Sequence, residues 1–235
     1  MQKDILGKAM LDYFHGKYTD DIFTETNISE QDELPLPYLF RSFKEMPKIE
    51  QKALQLAKGK VLDVGCGAGS HTLYLQEKGM VVTAIDTSPG AVEVCKLRGV
   101  KNVKKCALLD LKDEKFDTIL LLMNGTGIFR NLNAVAENLK HLKSLVAKDG
   151  QILIDSSDIL YMYDTDEDGG FWVSTEKDYY GELTFNMRYK GEISDKFDWL
   201  YLDYNTLHLI CIENNLGCEL ITEGKHFDYL AKLKL

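Results

Sequence analysis

The sequence has no long apolar run: its longest aliphatic stretch, Ile119-Leu120-Leu121-Leu122-Met123, falls far short of the roughly 20 residues a membrane-spanning helix needs. It also lacks the apolar core of a secretory signal near Met1-Gln2-Lys3-Asp4-Ile5-Leu6-Gly7-Lys8, which makes the cytoplasm the expected compartment. Cys66, Cys95, Cys106, Cys211 and Cys218 are odd in number and include no Cys-x-x-Cys pair, so neither structural zinc nor a disulfide framework is expected. Basic charge is scarce as well. With 28 Lys plus Arg against 37 Asp plus Glu, the formal net charge is −9 at pH 7, which opposes binding to a polyanion. The densest basic cluster, Lys101-Asn102-Val103-Lys104-Lys105, reads as a solvated turn before a strand. Membrane and nucleic acid are thus disfavoured as partners.

What is present is alternation. From about residue 48, short β-branched or aliphatic runs alternate with helical patterns, as in βαβ units around a parallel sheet. Strands are predicted at 60–64, 81–86, 103–107, 118–123 and 151–155. Helices are predicted at 70–78, 89–98 and 132–146, with only a weak helical link at 111–115. The run at 118–123 is continuously apolar, as a mid-sheet parallel strand should be. Gly79, Gly99 and Gly150 stand where left-handed C-caps are expected. Beyond 155 the pattern changes: 183–189 and 197–201 alternate in polarity and read as an antiparallel ribbon, followed by a helix at 204–214 and a final hairpin at 219–222 and 229–233. Residues 4–14 form an amphipathic helical pattern, and 24–37 read as a polar connector. Residues 1–45 are therefore expected to be a helical cap or lid on a domain spanning 46–235, with an inserted ribbon at 160–202.

The most informative stretch is Val61-Leu62-Asp63-Val64-Gly65-Cys66-Gly67-Ala68-Gly69-Ser70, a strand running into a glycine-rich turn that opens a helix. Glycines there let backbone approach a ligand and take positive φ. The spacing is Gly-x-Gly-x-Gly rather than the Gly-x-Gly-x-x-Gly of dinucleotide sites. Asp63, two residues before the loop, suits a ligand carrying an ammonium or sulfonium. The next strand ends at Asp86, 86 − 69 = 17 positions past the last glycine, where an acid is expected to accept from two ribose hydroxyls. The competing role for Asp86 is helix capping, although Ser88-Pro89 offers a better cap.

These residues, with Ala84-Ile85-Asp86-Thr87-Ser88-Pro89, resemble the first two motifs of the class I S-adenosylmethionine-dependent methyltransferases over residues 59–158. The resemblance implies an α/β, Rossmann-like doubly wound seven-stranded sheet of order 3-2-1-4-5-7-6 with strand 7 antiparallel, and S-adenosyl-L-methionine as cofactor. It further implies that Asp63 and the loop backbone at Gly65, Cys66, Gly67 and Gly69 face the methionine part of the cofactor. Asp86 would take the ribose hydroxyls and Thr87 would lie against adenine. The family's usual acid after strand 3 is replaced by Ala107, so adenine contact passes through backbone at Ala107 and Leu108, or through Asp110. Asn124 and Gly125 lie where the reacting methyl is expected, unless they form only an Asn-Gly turn. The Asn/Asp-Pro-Pro-aromatic signature of base and glutamine nitrogen methylation is absent.

Tyr38, Phe40, Arg41, Ile128 and Phe129 are candidates to line the acceptor, with Arg41 as a cationic handle; plain packing is the alternative. His71 reads as a surface or capping residue, with a role at the cofactor carboxylate as the alternative. The acidic run from Asp164 to Asp168 lacks calcium-loop register, and Asp155-Ser156-Ser157-Asp158 lacks the partners of a metal site, so no metal is expected. Methyl transfer asks chiefly for alignment and a dry site, and no catalytic side chain is assigned. The expected activity is transfer to a small-molecule acceptor. The alternatives are an RNA or protein methyltransferase and a non-catalytic adenosyl-ligand-binding protein.

Overall fold

In the computed structural model, which describes residues 3–166, 168–173 and 177–235, the alternating runs become two sheets. Met1, Gln2 and, from the acidic run, Glu167 lie outside the described residues, as do 174–176 of the insertion. In chain order the elements are α1 (Ile5–Phe14), β1 (Ile22–Thr26), β2 (Asp32–Leu34), α2 (Leu36–Leu39), α3 (Lys48–Leu56), β3 (Lys60–Val64), α4 (Ser70–Glu77), β4 (Val81–Asp86), α5 (Pro89–Leu97) and β5 (Val103–Lys105). They continue as β6 (Phe116–Leu121), α6 (Val135–Leu145), β7 (Val146–Ser157), β8 (Glu182–Tyr189), β9 (Glu192–Ile193), β10 (Phe197–Leu200), α7 (Tyr204–Glu213), β11 (Gly217–Glu223) and β12 (Asp228–Lys234).

The larger sheet has seven strands in the order β11-β12-β7-β6-β3-β4-β5. Counted along this sheet, that is the 3-2-1-4-5-7-6 order. The four pairings from β7 through β6, β3 and β4 to β5 are parallel, and β12 is antiparallel to β7 with Ala231 opposite Ile154. The apolar run in β6 sits mid-sheet, with Ile119, Leu120 and Leu121 fully buried. One face packs on α6 and α7 through Leu139, Leu142, Leu207 and Cys211. The other packs on α3 through Ile49, Ala53 and Leu54, against Leu120, Leu153 and Leu230. Two covered faces explain why these strands are continuously apolar.

The smaller sheet runs β10-β8-β1-β2, with β9 paired to β8. The ribbon foreseen at 183–201 is present, but the supposed connector at 24–37 is largely a β-hairpin, β1–β2, that joins it. Phe23 pairs with Arg188 and Thr26 with Phe185. A partner about 160 residues away leaves no local signal in a five-residue strand. The third connection holds a 3₁₀ turn at Leu108–Asp110 in place of a helix. At the last cap site it is Asp149 (φ 66°) that takes the left-handed conformation, and Gly150 lies within β7.

This second sheet is fastened at the carboxyl end of the larger one. The Thr126 hydroxyl, just past β6, donates to the Leu200 carbonyl at 2.9 Å. Any Cβ at Gly127 would collide with the Trp199 indole. No helix among the described residues is long and apolar enough to cross a membrane.

Candidate cofactor and acceptor site

Between β3 and α4 the chain turns through Gly65 (φ 72°), Gly67 (φ 52°) and Gly69 (φ 82°). Positive φ at three alternate positions explains the glycine spacing. The N–H groups of Gly65 and Cys66 donate to the Ile85 carbonyl at 2.9 and 3.1 Å, bending the loop over the end of β4. A Cβ at Gly67 would meet nothing within 4 Å, whereas one at Gly69 would approach Cys95 Sγ to 2.9 Å. The loop therefore has packed protein on one side and open space on the other, the form of a cradle for a ligand.

Asp86 ties this loop to the next helix: Gly67 N–H donates to its Oδ2 and Ser88 N–H to its Oδ1, each at 2.9 Å. The helical cap of α5 is Ser88, whose hydroxyl accepts from Ala91 N–H. Burial pushes the Asp86 carboxyl above the usual carboxylate range despite those two N–H groups. Asp63 is buried and accepts from the Thr72 hydroxyl at 2.5 Å; burial raises its pKa too. Thr87 is exposed, Ala107 half-buried, and Leu108 packs into the core. Cys106 N–H donates to the Asp86 carbonyl, so the 106–108 segment stands beside the end of β4.

At the end of β6 the backbone is unusual. Met123 (φ 67°) and Asn124 (φ 57°) are both left-handed, a conformation that side chains resist and that clusters at functional sites. Asp155 at the end of β7 holds the turn by accepting from Met123 N–H and Gly125 N–H, each at 3.0 Å. Ser157 Oγ donates to Asn124 Oδ1 at 2.9 Å. Burial, aided by nearby Glu50, pushes the Asp155 pKa up to about 7 against those N–H donors.

The candidate lid residues diverge. Arg41 is 6% exposed and donates to both oxygens of Glu50, itself 2% exposed, at 2.6 and 2.5 Å. Its guanidinium lies 3.9 Å from the Tyr38 ring centroid. It is thus an anchor rather than a free cationic handle. His71 is neither surface nor cap: it is buried, with Nε2 2.7 Å from Glu50 Oε2. Burial opposes the charge on Glu50, but its bonds to His71 and Arg41 outweigh it and hold the carboxyl below its usual range. Phe40 packs between Tyr13 and Arg98, and Phe129 lies in the main core. Tyr38 is exposed, and Ile128 reaches within 3.2 Å of where a Gly65 Cβ would stand.

Glu50 and Asp4 carried no signal in the sequence, and Trp199 read only as one of the aromatics of the insertion (with Tyr161, Tyr163, Trp172, Tyr179 and Tyr180) that suit a small, partly apolar acceptor. Glu50 stands in the first turn of an ordinary helix, where charge reads as solvent-facing, and the other two act through partners remote in the chain. Among the described residues no group of three or more His, Cys, Asp or Glu is placed to hold a metal ion.

A glycine loop at the end of the first parallel strand, an acid at the end of the second, and a reversed edge strand define a Rossmann-like methyltransferase. The family profile described as "Methyltransferase domain" matches residues 62–154. A crystal structure of an S-adenosylmethionine-dependent methyltransferase from Bacteroides fragilis, in complex with S-adenosyl-L-homocysteine, is 46% identical and superposes with a TM-score of 0.92, covering 99% of this chain and 95% of that one. The "Putative methyltransferase YqeM" of Bacillus subtilis is 27% identical over 60% of this chain and 65% of its own length. The match to the ubiquinone biosynthesis O-methyltransferase of Xanthomonas oryzae is 45% identical but spans 21% of this chain and 20% of that one. The chain thus aligns with less than two thirds of these curated relatives. The CcbJ methyltransferase of Streptomyces caelestis, 13% identical with a TM-score of 0.64 over 80% of this chain and 90% of that one, shares the fold. The chain belongs to the class I S-adenosylmethionine-dependent methyltransferases, and S-adenosyl-L-methionine is its cofactor.

Proposed function

We propose that this enzyme methylates a small-molecule acceptor enclosed between the two sheets. The observation that carries the reading is the roof: residues 1–45 and the 160–202 insertion share one sheet, and that sheet is pinned to the acceptor-side turn at Thr126 and Gly127. Such a roof suits a small ligand shut away from water and opposes a broad polymer groove.

Asp63, Gly65, Cys66, Gly67 and Gly69 would hold the methionine part of the cofactor. Asp86 and Thr87 would hold the ribose and one edge of adenine, with backbone at Ala107 and Leu108 on the other. Bound there, S-adenosyl-L-methionine supplies an electrophilic methyl carbon on a sulfonium. Asn124 and Gly125 would border that methyl, their turn held rigid by Asp155. Tyr38 and Ile128 would face the acceptor, with Phe40, Arg41 and Phe129 packed behind them. The work of these residues is alignment, worth about 7–11 kcal/mol at best.

A thermal-shift series tests the cofactor half, with S-adenosyl-L-homocysteine expected to raise the Tm and NAD to leave it unchanged. Release of S-adenosyl-L-homocysteine across a panel of small acceptors, with RNA and protein extracts alongside, tests the rest. Turnover with RNA or protein alone would overturn the small-molecule reading.

A further inference from the structure

We propose that the cavity beyond the end of β7 anchors the acceptor and takes an organic ammonium group. This deepens the small-molecule reading and rests on it. The cavity measures about 440 Å³ and is walled by Asp158, Tyr161, Tyr163, Phe171 and Phe227. That volume is ordinary for a small-ligand site.

Its chemistry is specific. Tyr161 and Phe227 stack with centroids 5.0 Å apart, yet they are 55% and 63% exposed, and Phe171 is 43% exposed. Aromatic faces left open together over one hollow are waiting for a partner. Ring faces carry negative potential and attract cations, quaternary ammonium groups above all. Asp158 adds a full negative charge to the same hollow. Leu160 N–H and the Tyr180 hydroxyl both donate to its Oδ1, at 2.9 and 2.8 Å, which leaves Oδ2 for a ligand. Among the described residues that line it there is no Lys, Arg or His. An anion would meet only repulsion there, and a neutral ligand would leave Asp158 unanswered.

The cavity is also built and correctly placed. Asp158 N–H donates to the Phe227 carbonyl at 3.0 Å, locking the carboxylate and the aromatic wall together across the β7–β12 pair. The Tyr163 hydroxyl donates to the Tyr180 carbonyl at 2.6 Å, which fixes that ring. The residue before Asp158, Ser157, bonds to Asn124. Asp158 thus follows directly in the chain on the residue that contacts the turn proposed to border the methyl. The positive nitrogen is an anchor here, and no proton or methyl transfer is assigned to Asp158.

The test is calorimetry on the full chain saturated with S-adenosyl-L-homocysteine, using choline and its neutral isostere 3,3-dimethylbutan-1-ol as probes. Choline should bind roughly ten-fold tighter than the isostere. Asp158→Asn should remove most of that preference. Phe227→Leu, which leaves every hydrogen bond of Asp158 intact, should weaken choline several-fold. Equal binding of the two probes, no binding of choline, or an unchanged preference in both variants overturns the proposal. Titration of S-adenosyl-L-homocysteine comes first in the same experiment: its failure to bind would sink the cofactor assignment, whereas its binding without a choline preference sinks only the ammonium site.

Discussion

Asp4 and Ser88 stand 84 positions apart, and the Ser88 hydroxyl donates to both carboxylate oxygens of Asp4, at 2.8 and 2.9 Å. The same carboxylate accepts from Gly7 N–H in its own helix and from Gly90 N–H in α5. One acid therefore caps α1 and clasps the start of α5 at Ser88 and Gly90, two and four residues past Asp86. The helices touch so closely that a Cβ at Gly90 would come within 2.5 Å of Gly7 backbone. Asp4→Ala should lower stability by about 1–2 kcal/mol, the usual cost of a lost cap. Urea unfolding checks it. An unchanged midpoint would mean that α1 docks through Ile5, Ala9 and Met10 alone.

Asp86→Ala should weaken S-adenosyl-L-homocysteine binding by an amount on the order of 1.5–3 kcal/mol, the range for hydrogen bonds to a charged group. Calorimetry reads the loss directly. Asp86 also holds Gly67, so the loop should loosen in the same variant. A dissociation constant equal to that of the wild type would confine Asp86 to a structural role.

Arg41→Met leaves Glu50 buried with one partner fewer, and breaking a buried pair costs about 3–5 kcal/mol. Replacing both members, Arg41→Met with Glu50→Leu, should recover part of that loss because the buried Arg41–Glu50 charges are gone, the remainder being the cost of leaving His71 Nε2 without its partner. The two midpoints in urea decide the matter. If the double variant is no better than the single one, the pair is not what holds the segment down. For the same reason, removing residues 1–45 should unfold the protein rather than merely uncover its site: it strips Arg41 from Glu50 and β1 from β8.

Asp155 makes stability depend on pH. Its folded pKa, about 7, lies above the ordinary aspartate value of 3.8, so the folded state holds the proton more tightly than the unfolded one. Raising the pH from about 4 to about 7 then removes stability, and above about 7 the whole cost of burying the charge is present. Asp155→Asn cannot titrate there. The Tm of Asp155→Asn minus that of the wild type should therefore rise between pH 5 and pH 8. A difference that stays flat across this range would show that Asp155 does not change its charge there.

Much of the architecture was legible because it is encoded in neighbours. The strand at β6 reads as central because both its faces are covered, which demands apolar residues at every position. The glycine spacing at 65, 67 and 69 reads as a ligand loop because three positive φ values in five residues leave no other residue comfortable. The β1–β2 hairpin was illegible because a strand of five residues draws its identity from the strand it pairs with, and β8 lies about 160 residues further on.

The sequence by itself determined the alternation of strands and helices and the glycine loop with its acid, since these rest on local periodicity and on motifs a few residues long; the cofactor and the order of the seven strands followed only from the family resemblance those motifs carry. Only the tertiary structure decided that Glu50 is buried between Arg41 and His71, that Trp199 closes over Gly127, and that Asp155 holds the left-handed turn at Asn124. The reason is physical. A carboxylate, an indole or a guanidinium has the same composition whether it faces solvent or the core. Its pKa, its partner and its role are set by the groups that folding brings within about 3–4 Å, and those come from elsewhere in the chain.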